Sequence, residues 1–348
     1  MMMKVAQAFD YDDVRIVEME VPRPGPGEAL VKVRTCGICA GDVTPWYIRK
    51  KCPIVVGHEP AGDIVELGPE AGDWQVGDRV FIHHHAPCGQ CRRCLRGFPS
   101  MCPTWRASHL VPGGIAQYCL VPRVNLSHDT LKLPAELSYD HGALIEPIAC
   151  VVRAFHRCGL GLDGPQRDLR LAVVGLGFIG QVMVALAPRY GCSEIVGADF
   201  VEYRRRHALG LGAGAVVDPA THSLAEVVRQ RTGGDGADIV MVGPSKPEVL
   251  QQAVHCAGPG GTVLLFMAPE PGVTCALDVN HLFFQEISLV TSYSCGPRET
   301  RETLEILQRK LVVPEQLITH RFPLEQTLEA CRLTARAGES LKVVVDVP

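Results

Sequence analysis

The chain contains no apolar run of about 18 residues, no face-sized block of basic side chains, and no internal repeat or low-complexity tract. The first absence argues against a transmembrane helix. The N-terminal MMMKVAQAFDYDD also lacks the apolar core of a secretory leader, so a cytoplasmic protein with no membrane contact is expected. A formal net charge of -4 removes the electrostatic footprint of a nucleic-acid binder. RRR at 204–206 and RKK at 49–51 are short and read as solvated surface. What remains is ordinary globular composition, 47% hydrophobic and 21% charged, in 348 residues, enough for two domains with separate cores.

Cysteine, by contrast, is plentiful. Fifteen is an odd number, and the chain has neither the length nor the leader of a small secreted scaffold. Reduced thiols, several of them binding metal, explain the count better than disulfides.

The first 150 residues read as short strands punctuated by Gly and Pro: KVAQAFD, VRIVEM, EALVKVRT, AGDIVELG, DRVFIH and AQYCLVP. Residues 136–158 change to helical spacing, with Asp140 and His141 near the start and a break or bend expected at Pro147. After LGLDGPQRD, strands and helices alternate from LRLAVVGLG to ISLVTSYS, which predicts a parallel sheet covered on both faces. The tail returns to a helix, a short strand, a helix and a final strand. By this order, a nucleotide-binding domain interrupts the sequence of another domain.

VVGLGFIG places Gly175, Gly177 and Gly180 in G-x-G-x-x-G spacing, with Phe178 and Ile179 opening the helix that follows. The glycines allow a tight turn, close approach of a pyrophosphate and close helix–strand packing. The phosphates would meet unpaired N–H groups at the helix start. Asp199 follows 19 residues after Gly180 at the end of the next strand, where a carboxylate accepts ribose hydroxyls and repels a 2'-phosphate. NAD is therefore favoured over NADP, although Arg204 could also meet a phosphate.

FIHHHAPCGQCRRCLRGFPSMCP carries Cys88, Cys91, Cys94 and Cys102 as C-x2-C-x2-C-x7-C. Four thiolates complete a tetrahedral zinc shell and leave no position for substrate, so this cluster reads as a structural staple. An iron–sulfur cluster is the competing metal reading. With the shell complete in sulfur, His83, His84 and His85 are expected as exposed strand-end residues. Chemistry should lie elsewhere. Cys36 and Cys39 in TCGICAGD, with His58 and Glu59 in VVGHEPAGDIV, supply donors for a catalytic zinc, but a packed cysteine and a surface His–Glu pair fit the spacing equally well.

Together GIC…D, GHE-x-x-G, VGDRV, the four-cysteine lobe, IEP and the cofactor fingerprint resemble the zinc-dependent medium-chain dehydrogenases, particularly the sorbitol, threonine and polyol branch. The resemblance covers nearly the whole chain. It implies an α/β protein: a GroES-like, mostly-β catalytic domain at 1–149 and 291–348, with a zinc lobe at about 86–104, and a Rossmann doubly wound parallel-sheet domain at 150–290. It further implies that Cys39 and His58 bind the catalytic zinc, that Glu59 is a direct or exchangeable ligand, and that Glu146 binds the zinc or its water. Asp42 would orient His58, and Cys36 would have no chemical role. Cys88, Cys91, Cys94 and Cys102 carry the structural zinc. Gly175, Gly177, Gly180, Asp199 and Arg204 form the coenzyme site. Two departures follow. Gly41 stands where relatives commonly have the Ser or Thr that relays the alcohol proton, and Thr44 where they often have His. Thr44 is the remaining candidate to connect a proton path, but a hydroxyl is a poor base at neutral pH.

The implied reaction interconverts a secondary alcohol and a ketone with NAD. A polyol, cyclitol or aminocyclitol is the expected substrate, with L-threonine, oxidised at its 3-hydroxyl, as the alternative. A catalytically silent NAD- and zinc-binding protein and a four-cysteine nucleic-acid binder are the rival classes. Homodimers or homotetramers are implied by the resemblance alone.

Overall fold

A computed structural model describes residues 1–165 and 167–348. Two compact units emerge: Met1–Ala149 with Ser294–Pro348, and Cys150–Tyr293.

The first unit is built on the strand Ala29–Ile38. Its sequence, ALVKVRTCGI, is buried at nearly every position, and other strands pair with both of its edges. Antiparallel neighbours are Glu59–Leu67, Tyr118–Val121 and the C-terminal Lys342–Asp346. The main path through this sheet runs Ile318–Pro323, Lys342–Asp346, Ala29–Ile38, Glu59–Leu67, Arg79–Ile82, Thr130–Lys132. Val31, Val33, Ile64, Val80, Ile115 and Val345 form part of its core. Each such side chain contributes roughly 1.5–3 kcal/mol on leaving water. Asp13–Glu20, Met2–Asp10 and Ile54–Val55 make a second, three-stranded sheet.

The register of the large sheet decides what meets what. Gly37 lies opposite Glu59 on one side and opposite Val344 on the other. Cys39 therefore leaves the sheet beside the point where His58 and Glu59 enter it, with the last strand of the chain alongside.

The helix Tyr139–Arg157 runs through Pro147, so of the break or bend expected there, the break is absent. Proline removes one N–H and crowds the preceding turn. Burial of Ala143, Leu144, Ile145 and Ile148 around it offsets that loss.

The second unit holds six parallel strands in the order Ala215–Val217, Cys192–Ala198, Leu169–Val174, Ala237–Val242, Ala257–Leu265, Ser288–Thr291. Apolar runs such as LAVV and IVMV suit central strands covered on both faces. Strand order reverses between Leu169–Val174 and Ala237–Val242, the kind of switch point at which a nucleotide crevice opens. Among the described residues, no helix is long and apolar enough to cross a membrane.

Candidate active site and metal centres

Cys39 caps the short turn Ala40–Val43. Its Sγ accepts from the Gly41 N–H at 3.4 Å, while its own N–H donates to Asp42 Oδ2 at 3.0 Å. The other oxygen of Asp42 lies 3.1 Å from His58 Nδ1. One carboxylate thus fixes the turn that carries the thiol and the ring that faces it. The donor atoms of Cys39, His58 and Glu59 all lie within 4.8 Å of one another.

Glu59 is completely buried. The Lys342 ammonium stands against its Oε2, and among the described residues no other donor reaches either oxygen. Lys342 is anchored in turn by donating to the Ile38 carbonyl at 3.2 Å. Burial raises the Glu59 pKa, partly countered by Lys342. Burial also opposes charging His58, yet Asp42 and Cys39 outweigh it and hold its pKa well above the ordinary value. A field that favours a proton at this ring favours a metal cation in its place, so the donor set fits zinc.

Asp42 therefore lies where orientation of His58 requires it. Thr44 is placed differently from a proton relay, because its hydroxyl donates back to the Ala40 carbonyl at 2.7 Å. Cys36 is buried in the core, and burial pushes its thiol pKa well up.

The sulfurs of Cys88, Cys91, Cys94 and Cys102 form a second donor group. Cys91 and Cys94 are 3.5 Å apart and Cys88 and Cys102 3.6 Å apart, far beyond a disulfide bond and near the roughly 3.7 Å edge of a tetrahedral zinc–sulfur shell. A structural zinc fits these four thiols.

The adjacent histidines overturn the expectation of exposed strand-end side chains. His83 is fully buried, its Nδ1 bonded to Asp129 Oδ2 at 2.6 Å. His84 packs on His58 with ring centroids 4.8 Å apart, and its Nδ1 is buried with no hydrogen-bond partner among the described residues. Burial and neighbouring positive groups lower its pKa well below the ordinary value. His85 packs against Trp105 with ring centroids 4.1 Å apart and the planes tilted by 37°. Partners at residues 105 and 129 make these burials possible, and the local sequence does not reveal them. Glu146 lies in a third group, with His83 and Cys295, again within 4.8 Å.

In the second unit Gly175 has φ 90°, a left-handed turn open to glycine, and a Cβ at Gly180 would stand 2.1 Å from the Gly175 carbonyl. Phe178 and Ile179 begin the helix Phe178–Leu186 at this loop. Asp199 Oδ2 accepts from the Leu176 N–H at 2.8 Å and Oδ1 from the Val201 N–H at 2.8 Å, tying the acidic strand end to the glycine turn. Arg204 Nη1 is 3.8 Å from Asp199, and Gln181 Nε2 donates to the Leu176 and Arg204 carbonyls. The sequence reading missed Gln181. It also missed Lys342, whose signal is a lone cation in the apolar strand LKVVVDV.

Residues 25–134 match the alcohol dehydrogenase GroES-like domain, and residues 179–309 match the zinc-binding dehydrogenase domain. The chain is 30% identical over 340 residues to L-threonine 3-dehydrogenase of Pyrococcus horikoshii, covering 94% of each. It is 30% identical to sorbitol dehydrogenase of Bombyx mori, covering 97% of this chain and 96% of that one. Among solved structures, a zinc-binding dehydrogenase of Sinorhizobium meliloti bound to NADP superposes with TM-score 0.86 at 26% identity, covering 99% of each chain. An alcohol dehydrogenase of Escherichia coli CFT073 complexed with NADH gives 0.87 at 26% identity and the same coverage. The chain belongs to the zinc-binding medium-chain dehydrogenase/reductase family, with its GroES-like and Rossmann-like domains. It is a zinc- and NAD-dependent oxidoreductase related to the sorbitol and threonine dehydrogenases.

Proposed function

We propose that this enzyme oxidises a small secondary alcohol, carried next to a second polar group, to the ketone, and also runs the reverse reaction. L-threonine at its 3-hydroxyl is the first substrate in this class, supported by the relatives of that name. A polyol or cyclitol is the second. It is supported by the sorbitol dehydrogenase relative and by His84, a neutral imidazole beside His58 suited to a hydroxyl. The observation that carries the reading is the Cys39–His58–Glu59 donor set, with Asp42 behind His58.

In this assignment Cys39, His58 and Glu59 hold the catalytic zinc, with the Glu146 carboxylate close by, and Cys88, Cys91, Cys94 and Cys102 hold the structural one. The Gly175–Gly180 loop, Asp199 and Arg204 receive NAD. When bound, zinc supplies Lewis-acid stabilisation of the substrate oxygen and NAD supplies the hydride acceptor. Asp42 fixes the His58 tautomer so that Nε2 faces the site. Lys342 places its ammonium against the buried Glu59 carboxylate as a counter-charge. Gly41 cannot pass a proton, and the Thr44 hydroxyl is bonded to backbone.

The test is NADH formation by zinc-replete enzyme with L-threonine, sorbitol, inositols, aminocyclitols and simple hydrophobic alcohols. Turnover of threonine or of one polyol class is expected. Activity confined to simple alcohols, or none with both zinc sites filled, would overturn the reading.

A further inference from the structure

His83, Glu146 and Cys295 come from a strand end, a helix and the segment ahead of the helix Pro297–Gln308, and all three are buried. We propose that His83 Nε2, Cys295 Sγ and the Glu146 carboxylate form a further zinc site, separate from both the four-sulfur lobe and the Cys39–His58–Glu59 set, so that the chain binds three zinc ions. The count of three rests on the catalytic-zinc reading above; the ligands of the new site do not.

Spacing is the first argument. His83 Nε2 and Cys295 Sγ are 3.6 Å apart, and a nitrogen at about 2.0 Å and a sulfur at about 2.3 Å on one tetrahedral zinc are separated by about 3.5 Å. Orientation is the second. His83 Nδ1 bonds Asp129 Oδ2 at 2.6 Å, and the Thr300 hydroxyl donates to the other Asp129 oxygen at 2.5 Å. The backbone on both sides is held as well: His83 N donates to the Asp129 carbonyl at 3.2 Å, and Asn125 Nδ2 donates to the His83 carbonyl at 3.0 Å. The ring is thus locked with Nε2 turned to Cys295. This is the carboxylate–histidine construction that orients a metal ligand, and it repeats what Asp42 does for His58.

Donor chemistry is the third argument. Mixed imidazole, thiolate and carboxylate donors in a tetrahedral arrangement suit zinc. The ion would also hold Glu146 in one orientation beside the Cys39–His58–Glu59 set.

The test counts zinc per full-length chain by elemental analysis and native mass spectrometry, after zinc saturation and dialysis. Three ions are expected in the unmodified protein, and two in Cys295→Ala and in His83→Gln. Two in the unmodified protein would overturn the site. So would three retained in both variants. If the variants fail to fold, cobalt titration of the unmodified chain decides: a third equivalent should bring added thiolate-to-cobalt absorption, and a third equivalent without it refutes the site. Two ions in an enzyme that turns over threonine or a polyol would reject this site and leave the functional reading intact. Three ions in a chain that turns over nothing would do the reverse.

Discussion

At Gly41 a Cβ would stand 3.7 Å from Cys39 Sγ and 3.7 Å from Tyr47 Cε1, ordinary contact distances, and φ is not in the left-handed region. A side chain therefore fits where this chain has none. If proton loss is limited by the missing hydroxyl, Gly41→Ser raises kcat near neutral pH, by up to about tenfold, a small part of what positioned proton transfer contributes. The pH profile of kcat checks this, and an unchanged profile would show that the missing hydroxyl does not limit proton loss. Lys342 teaches a different lesson at the same scale. Its ammonium makes a buried Glu59 tolerable, because a carboxylate taken out of water without a partner costs several kcal/mol.

At the scale of elements, the pairing of Ala29–Ile38 with Glu59–Leu67 sets the distance between ligands. A Cβ on Gly37 would come within 1.8 Å of Glu59 Oε2 and 2.7 Å of Lys342 Cε, so the ion pair and an alanine cannot occupy the same space. Gly37→Ala should push Glu59 out of the donor set. The expected result is catalytic-site zinc affinity lower by about 10- to 100-fold, with the four-sulfur zinc retained. Competition with a chelator measures both. Loss of the two zincs in parallel would mean that the sheet itself had failed. The helix through Pro147 shows the same dominance of packing over local rule: proline predicts a break or bend, and four buried neighbours keep the helix unbroken.

At the scale of the whole molecule, fifteen cysteines form no disulfide, and both units store protonated thiols. Burial pushes Cys119 and Cys331 in the first unit, and Cys158, Cys192 and Cys256 in the second, up to about 12 from an ordinary 9.0. A thiol that titrates higher folded than unfolded contributes stability that is complete below the unfolded pKa. That contribution falls as pH rises from about 9 towards about 12, by at most about 1.4 kcal/mol per pH unit per thiol. Alkaline unfolding followed by circular dichroism should show this loss. Cys119→Val, close in size and without a titrating group, should move the midpoint upward. A midpoint that stays put would mean that other groups set the alkaline limit.

The sequence by itself determined the features whose parts are close along the chain. Cys88, Cys91, Cys94 and Cys102 lie in one short loop, and Gly175, Gly177 and Gly180 in one turn, so spacing alone states the chemistry. Asp199 joins them because one strand–helix–strand unit has a nearly fixed length. Only the tertiary structure decided that Cys39 meets His58 and Glu59, because that depends on strand register, which no local pattern encodes. It also decided that Lys342 would back Glu59, and that Asp129 and Cys295 would turn His83 from a surface residue into a buried one. The physical reason is the same in each case. A buried charge or imidazole is stable only beside a partner, and these partners lie 46, 212 or more residues away, brought close only when the sheet closes.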